Sequence, residues 1–189
     1  LLRSAGVAAY WSGCLTATLP RYDGPRSDEI LMMDVQRKMV RYVPRAVRRR
    51  ARRLSNDVKN PVDPAARMDL TRRLVDRLSK ARLVVTSRLH VAVPCAAVGT
   101  PCVMVHAKVN SDIRFGGIRG HLFRGYDRFT VGEADWDPEP LDIEPIRAFL
   151  DTVASAAVKR QGNPFDHEAI EMPEVMRRVG GPIGTDWLA

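Results

Sequence analysis

The chain has 189 residues, 45% of them hydrophobic and 28% charged, with a formal net charge of +8 and an isoelectric point near 9.9. This is the balance of a globular chain long enough to bury a core, and no run of about 18 apolar residues is present to cross a membrane as a helix. Cys14, Cys95 and Cys102 are odd in number, lie in apolar surroundings and have no metal-ligand spacing, which argues against a disulfide framework or a zinc site and for reduced thiols in a cytoplasmic protein.

The first residues, Leu1-Leu2-Arg3-Ser4-Ala5-Gly6, have neither the apolar stretch of a signal peptide nor an initiator Met. The chain is therefore expected to begin inside a longer gene product. Residues 7–11 (VAAYW) and 30–35 (ILMMDV) are short apolar runs of the kind found in strands buried on both faces. Pro20, Asp23-Gly24 and Pro25 mark the loop between them.

Residues 37–53 carry nine cations and no acid. Residues 45–53 contain neither Gly nor Pro, so they are compatible with a helix. Arg45, Arg48, Arg49, Arg52 and Arg53 are expected on its exposed face. Tyr42 is the only aromatic residue within the run, which gives little support for nucleic-acid binding. A solvated face, or contact of Arg45–Arg53 with an anionic lipid or acidic glycan carrier, fits at least as well.

Asp63-Pro64 reads as an N-cap followed by Pro at the first helical position. The helix it opens, over 64–80, places Leu70, Leu74, Leu78 and Ala81 on one face. Residues 82–87 are the next strand, Leu89–Val98 a short helix interrupted by Pro94, and Gly99-Thr100-Pro101 its closing turn. Residues 102–106 are a further strand. Helix, strand, helix and strand in succession predict an α/β fold with a parallel sheet and flanking helices. Beyond Val105 the pattern weakens into an irregular basic stretch with Gly116, Gly117 and Gly120. Residues 136–145 read as a linker, 145–159 as a helix with Ile146, Phe149, Leu150 and Val153 on one face, and the remainder as a loosely ordered tail.

Thr86-Ser87-Arg88-Leu89-His90 lies where a buried strand meets a helix. Ligands of open α/β sheets bind at the carboxyl ends of strands, and a helix N-terminus there offers unpaired N–H groups to an anion. Arg88 adds a bidentate grip and His90 a proton donor or acceptor near neutral pH. The bland alternative, with Arg88 capping a neighbouring element and His90 a satisfied core histidine, is equally compatible with the spacing alone. His106 follows a strand end and is either a rim residue or structural. Lys108, Arg114 and Arg119 share a glycine-containing loop suited to an anion. His121 and His167 have no partner pattern and are expected at the surface. Cys14 has no partner base that would make it a nucleophile. Ser12 and Thr16 are open between ligand and backbone contacts.

Two segments carry a resemblance. Residues 81–90 (ARLVVTSRLH) with 96–101 (AAVGTP), and Ser12-Gly13-Cys14-Leu15-Thr16-Ala17-Thr18-Leu19, resemble the signature segments of the polysaccharide pyruvyl transferase family. They stand in the family's order, about seventy residues apart, and the resemblance covers roughly residues 1–120. It implies the Rossmann-like C-terminal domain of a two-domain fold similar to GT-B glycosyltransferases, with residues 1–130 forming the α/β domain and 131–189 a linker, helix and tail. The activity it implies is transfer of the enolpyruvyl unit of phosphoenolpyruvate to a sugar of a polysaccharide or glycolipid, giving a pyruvyl ketal and phosphate, with no cofactor beyond the donor substrate. By the resemblance, His90 is the catalytic acid, Arg88 and Leu89 contact phosphoenolpyruvate, Arg114 and Lys108 belong to a ligand-facing loop, and Cys14 is structural near the domain boundary. The family's R-D-x-x-T element is absent, so the isolated chain is expected to be inactive, and the whole protein to work in the cytoplasm or at the inner face of the membrane. Two other readings remain: a nucleotide-sugar glycosyltransferase of similar fold, and a non-enzymatic basic module that binds polyanions.

Overall fold

A computed structural model describes residues 14–57, 63–115 and 118–159. The strand expected at 7–11, Ser12, Gly13, His167 and the tail lie outside the described residues. Five strands, β1 (Ile30–Met33), β2 (Ala51–Leu54), β3 (Leu83–Thr86), β4 (Cys102–Val105) and β5 (Arg124–Tyr126), form one sheet in the order β2-β1-β3-β4-β5. All four pairings are parallel. The helices are α1 (Arg45–Arg50), α2 (Pro64–Lys80), α3 (Leu89–Ala97) and α4 (Glu144–Lys159).

Both faces of the sheet are covered, which explains the uninterrupted apolar runs of β1, β3 and β4. Leu31, Met33, Val84 and Met104 face one cluster with Leu78 of α2 and Val91 and Cys95 of α3. Ile30, Met32, Leu83, Val85, Val103 and Val105 face the other, with Met39, Val43 and Val47 of the α1 segment and with Val131 and Ala134. The alternation has the two-residue period of a pleated strand. Each fully buried aliphatic side chain contributes roughly 1.5–3 kcal/mol. A third cluster lies outside α3, where Val93, Ala96 and Ala97 meet Ile146, Phe149 and Leu150 of α4 and Ala17.

The cap chemistry of α2 is as the sequence predicts. Asp63 Oδ1 accepts the N–H groups of Ala65 (2.9 Å) and Ala66 (3.1 Å), an arrangement that stabilises the helix by about 1 kcal/mol. Its apolar face is covered only toward the C-terminus: Leu78 and Ala81 are buried and Leu74 half-buried, but Leu70 is exposed. At the other end of the sheet from the site, Arg26 donates to the carbonyls of Ser79 and Gly99 and to Thr100 Oγ1, joining the ends of α2 and α3. Gly99, at φ +72°, is the left-handed residue that ends α3.

Three expectations need correction. The arginine-rich segment is not one helix: α1 stops at Arg50, and Ala51–Leu54 pair with β1 as an edge strand. Arg52 and Arg53 are exposed on that strand, where charged side chains are well tolerated and discourage edge-to-edge association. Pro94 does not interrupt α3, which continues to Ala97; Pro94 only withholds the N–H that would bond the His90 carbonyl. The irregular stretch after Val105 contains β5, a three-residue strand too short and glycine-broken to show a period.

Candidate active site

The strand order reverses between β1 and β3. The chain leaves β1 toward β2 on one side and returns across the sheet to β3, so the connections after β1 and β3 diverge and open a crevice at their carboxyl ends. A cavity of about 900 Å³ occupies that crevice. Asp34, Val35 and Gln36 line it from the end of β1, and Asn56 from beyond β2. Ser87, Arg88, Leu89 and His90 come from the turn between β3 and α3, and His106, Arg114 and Phe115 from beyond β4.

Ser87 holds these strand ends together. Buried, it donates through Oγ to the Val105 carbonyl and accepts the Gln36 N–H at 2.9 Å. Gln36 Oε1 in turn accepts the Ala107 N–H at 3.2 Å. Three strands are thus cross-tied within one turn of the cavity floor.

Arg88 is the N-cap of α3, with extended backbone at φ −103° and ψ 123°. Its N–H bonds Thr86 Oγ1 at 2.9 Å, and its carbonyl receives the N–H groups of Val91 and Ala92. The next two N–H groups, of Leu89 and His90, have no acceptor among the described residues. They are the unpaired donors of a helix start, at its positive end. The Arg88 side chain is 56% exposed, and its Nε lies 4.0 Å from Asp34 Oδ2, beyond hydrogen-bond distance. Its donors therefore remain available. His90 is exposed and Leu89 half-buried at the same opening.

His106 is buried in the cavity wall. Its N–H donates to the Tyr126 carbonyl at 2.9 Å, and its Nδ1 accepts the Lys108 N–H at 3.1 Å. The neutral ring therefore carries its proton on Nε2. It packs edge-on against Phe115, with centroids 4.9 Å apart. Burial pushes its pKa down, and Arg114, Lys38 and Lys108 add to the shift while Asp112 opposes it. Arg114 lines the cavity but is engaged twice by Asp112, at 3.0 and 2.6 Å. That pairing lowers the Asp112 carboxyl to about 2.

The structure thus brings Arg88, Leu89, His90 and Arg114 to one opening. The Lys108 side chain is exposed and is not among the cavity-lining residues. Arg119 bonds Asn110, which donates to Asp127 at 2.6 Å, and also lies outside the lining. His121 is half-buried rather than exposed. The Cys14 thiol donates to Thr16 Oγ1 at 3.3 Å and packs against the third apolar cluster. Sequence reasoning missed Asp34, Gln36 and Asn56. The position of Asp34 at the carboxyl end of an apolar run was a usable signal; Asn56 needed β2 to be recognised.

No helix among the described residues is long and apolar enough to cross a membrane. No curated protein and no solved structure matches the chain. A family model described as polysaccharide pyruvyl transferase matches residues 9–106, more than half of the chain and a span that holds four of the five strands and every cavity residue from Asp34 to His106. The chain belongs to the polysaccharide pyruvyl transferase family.

Proposed function

We propose that the cavity at the β1/β3 reversal binds phosphoenolpyruvate and that the protein transfers its enolpyruvyl unit to a sugar of a polysaccharide or glycolipid. The observation that carries this reading is the turn at residues 88–90: a guanidinium without a bonded carboxylate, two unpaired N–H groups and an exposed imidazole at one opening. Phosphoenolpyruvate presents a phosphate and a carboxylate on either side of an enol carbon. Arg88 and the start of α3 hold these anionic groups, with Arg114 as a second cation.

His90, as imidazolium, protonates the methylene carbon. Two sugar hydroxyls add to the enol carbon, the bond from that carbon to the phosphate oxygen breaks, and the products are a methyl-bearing ketal and phosphate. One hydroxyl proton restores His90 and the other leaves with phosphate. A positioned acid of this kind contributes roughly 10²–10⁴-fold in rate, and cations at the departing phosphate stabilise its charge. The reaction needs no cofactor beyond the donor. In this reading the domain is one half of a GT-B-like pair. The exposed Arg45, Arg49, Arg52 and Arg53 meet an anionic membrane face or acidic carrier, an attachment that weakens steeply with salt; salt-independent attachment would remove the electrostatic account.

The test is calorimetric binding of phosphoenolpyruvate against a panel of nucleotide sugars, followed by a pyruvyl transfer assay in the full-length protein. Selective binding of phosphoenolpyruvate is the expected result. Preference for a nucleotide sugar would replace this reading with a glycosyltransferase.

A further inference from the structure

The cavity has two chemically different walls. Arg88, His90, His106 and Arg114 form a cationic and titratable wall from the β3 and β4 side. The ends of β1 and β2 contribute the other wall, Asp34, Gln36 and Asn56, which meets the first where Asp34 Oδ2 lies 4.0 Å from Arg88 Nε. Asp34 is the only carboxylate among the described lining residues. Its Oδ2 faces Arg88 at ion-pair distance and accepts the Asn56 N–H, which leaves Oδ1 as an acceptor for a neutral ligand that donates a hydrogen bond, since a carboxylate repels an anionic one.

The local structure holds Asp34 firmly. It is the one described non-glycine residue at positive φ, +46°, a left-handed conformation that Asp tolerates better than most residues but that still costs energy. Its N–H is held by the Leu54 carbonyl at 3.3 Å, and its Oδ2 accepts the Asn56 N–H at 3.0 Å. Both ties come from the chain at and just after β2, and together they fix the carboxylate. The side chain is 15% exposed, and Oδ1 accepts no hydrogen bond from the described residues. Gln36 uses Oε1 and its backbone N–H to tie β3 and β4, which leaves Nε2 as a donor. The Asn56 side-chain amide makes no hydrogen bond to the described residues. A fixed acceptor beside two amides matches sugar hydroxyls, which both donate and accept. The cavity, at about 900 Å³, is far larger than a three-carbon phosphate ester needs.

We infer that Asp34, Gln36 and Asn56 form the hydroxyl-binding subsite for the acceptor sugar, with Asp34 Oδ1 accepting the hydrogen bond of one hydroxyl that becomes part of the ketal. The inference rests on the pyruvyl transfer reading and adds to it where the acceptor diol sits.

The test uses the full-length protein saturated with phosphoenolpyruvate and the methyl glycosides of galactose, glucose and mannose, followed by saturation-transfer NMR. Donor affinity is measured separately by calorimetry. The wild type is expected to bind at least one glycoside. Asp34→Asn, which keeps an oxygen for the Asn56 N–H and tolerates positive φ, is expected to weaken that glycoside at least ~10-fold while donor affinity stays within about threefold or improves. Should Asp34→Asn fail to fold by thermal melting, Asn56→Ala probes the same wall and is expected to weaken the glycoside but not the donor. Unchanged glycoside affinity in the folded variant, loss of donor affinity alone, or no glycoside bound by a wild type that does bind phosphoenolpyruvate would each overturn the subsite. A wild type that does not bind phosphoenolpyruvate overturns the functional reading itself.

Discussion

Truncating Arg88 to Ala removes the one arginine among the described cavity residues that has no carboxylate within hydrogen-bond distance. The side chain is 56% exposed, with its nearest carboxylate oxygen 4.0 Å away, so the folded protein loses little: the change in stability is expected to stay within about 0.5 kcal/mol. The ligand loses a charge-assisted contact of roughly 1.5–3 kcal/mol. Partial exposure and solvent screening favour the lower part of that range. At about 1.4 kcal/mol per factor of ten, Arg88→Ala should weaken phosphoenolpyruvate about 10- to 100-fold. Residual binding is expected, because the Leu89 and His90 N–H groups survive the substitution. Arg88→Lys should recover only part of the loss, since an ammonium is a point charge without the planar fork. Calorimetric titration at fixed low ionic strength reads all three proteins, with Arg45→Ala as the control for nonspecific charge. Wild-type affinity in Arg88→Ala, or an equal loss in Arg45→Ala, would refute the assignment of Arg88 as the anion grip.

Two further outcomes follow from the same geometry. His90→Ala should lower turnover in the full-length enzyme by roughly 10²–10⁴-fold with phosphoenolpyruvate affinity mostly intact; near-normal turnover would exclude His90 as the acid. Burial lowers the His106 pKa below the ordinary value of 6.5, so between the two values the unfolded chain binds more protons and stability rises with pH. The urea midpoint should therefore fall on going from about pH 7 to about pH 5, and His106→Gln should flatten that fall; an equal slope in the variant would show that the loss of stability arises elsewhere.

Much of the sheet was legible because its strands are buried on both faces. β1 and β4 are four-residue apolar runs, β3 is three apolar residues closed by the buried Thr86, and the Asp63-Pro64 start of α2 is written in its cap chemistry. The edges were not legible for a physical reason. β2 is Ala-Arg-Arg-Leu: an edge strand needs little apolar burial, so its composition reads as well for helix as for strand, and only pairing with β1 decides. β5 is Arg-Gly-Tyr and is defined by its ladder with β4. The candidate site divides in the same way. The 88–90 turn is contiguous in sequence and could be read directly, whereas Asp34, Gln36 and Asn56 reach it only through the strand order. Leu70 shares the helical face of Leu74, Leu78 and Ala81, but the N-terminal half of α2 is mostly exposed, and periodicity carries no information about how far a partner surface extends.

The two cavity cations are not equivalent, and their partners rank them. Arg114 already makes two hydrogen bonds to Asp112, whose carboxyl is held at about 2 and so stays ionised at any working pH. To grip an anion, Arg114 must share or exchange that carboxylate, and the net charge it offers is largely cancelled. Arg88 has only Asp34, beyond hydrogen-bond distance, and it sits beside the unpaired N–H groups of α3. The backbone beneath it is fixed by the ties of Ser87 to β1 and β4, so little ordering is needed when the anion arrives. Arg114→Ala should therefore weaken phosphoenolpyruvate by less than Arg88→Ala, on the order of threefold against tenfold or more. Asp112→Asn, by releasing Arg114, should partly compensate for Arg88→Ala in the double variant. Calorimetry on the wild type, Arg88→Ala, Asp112→Asn and their double variant reads this as a coupling between sites. A larger loss from Arg114→Ala than from Arg88→Ala would reverse the ranking and place the phosphate on the loop after β4 instead of at the start of α3.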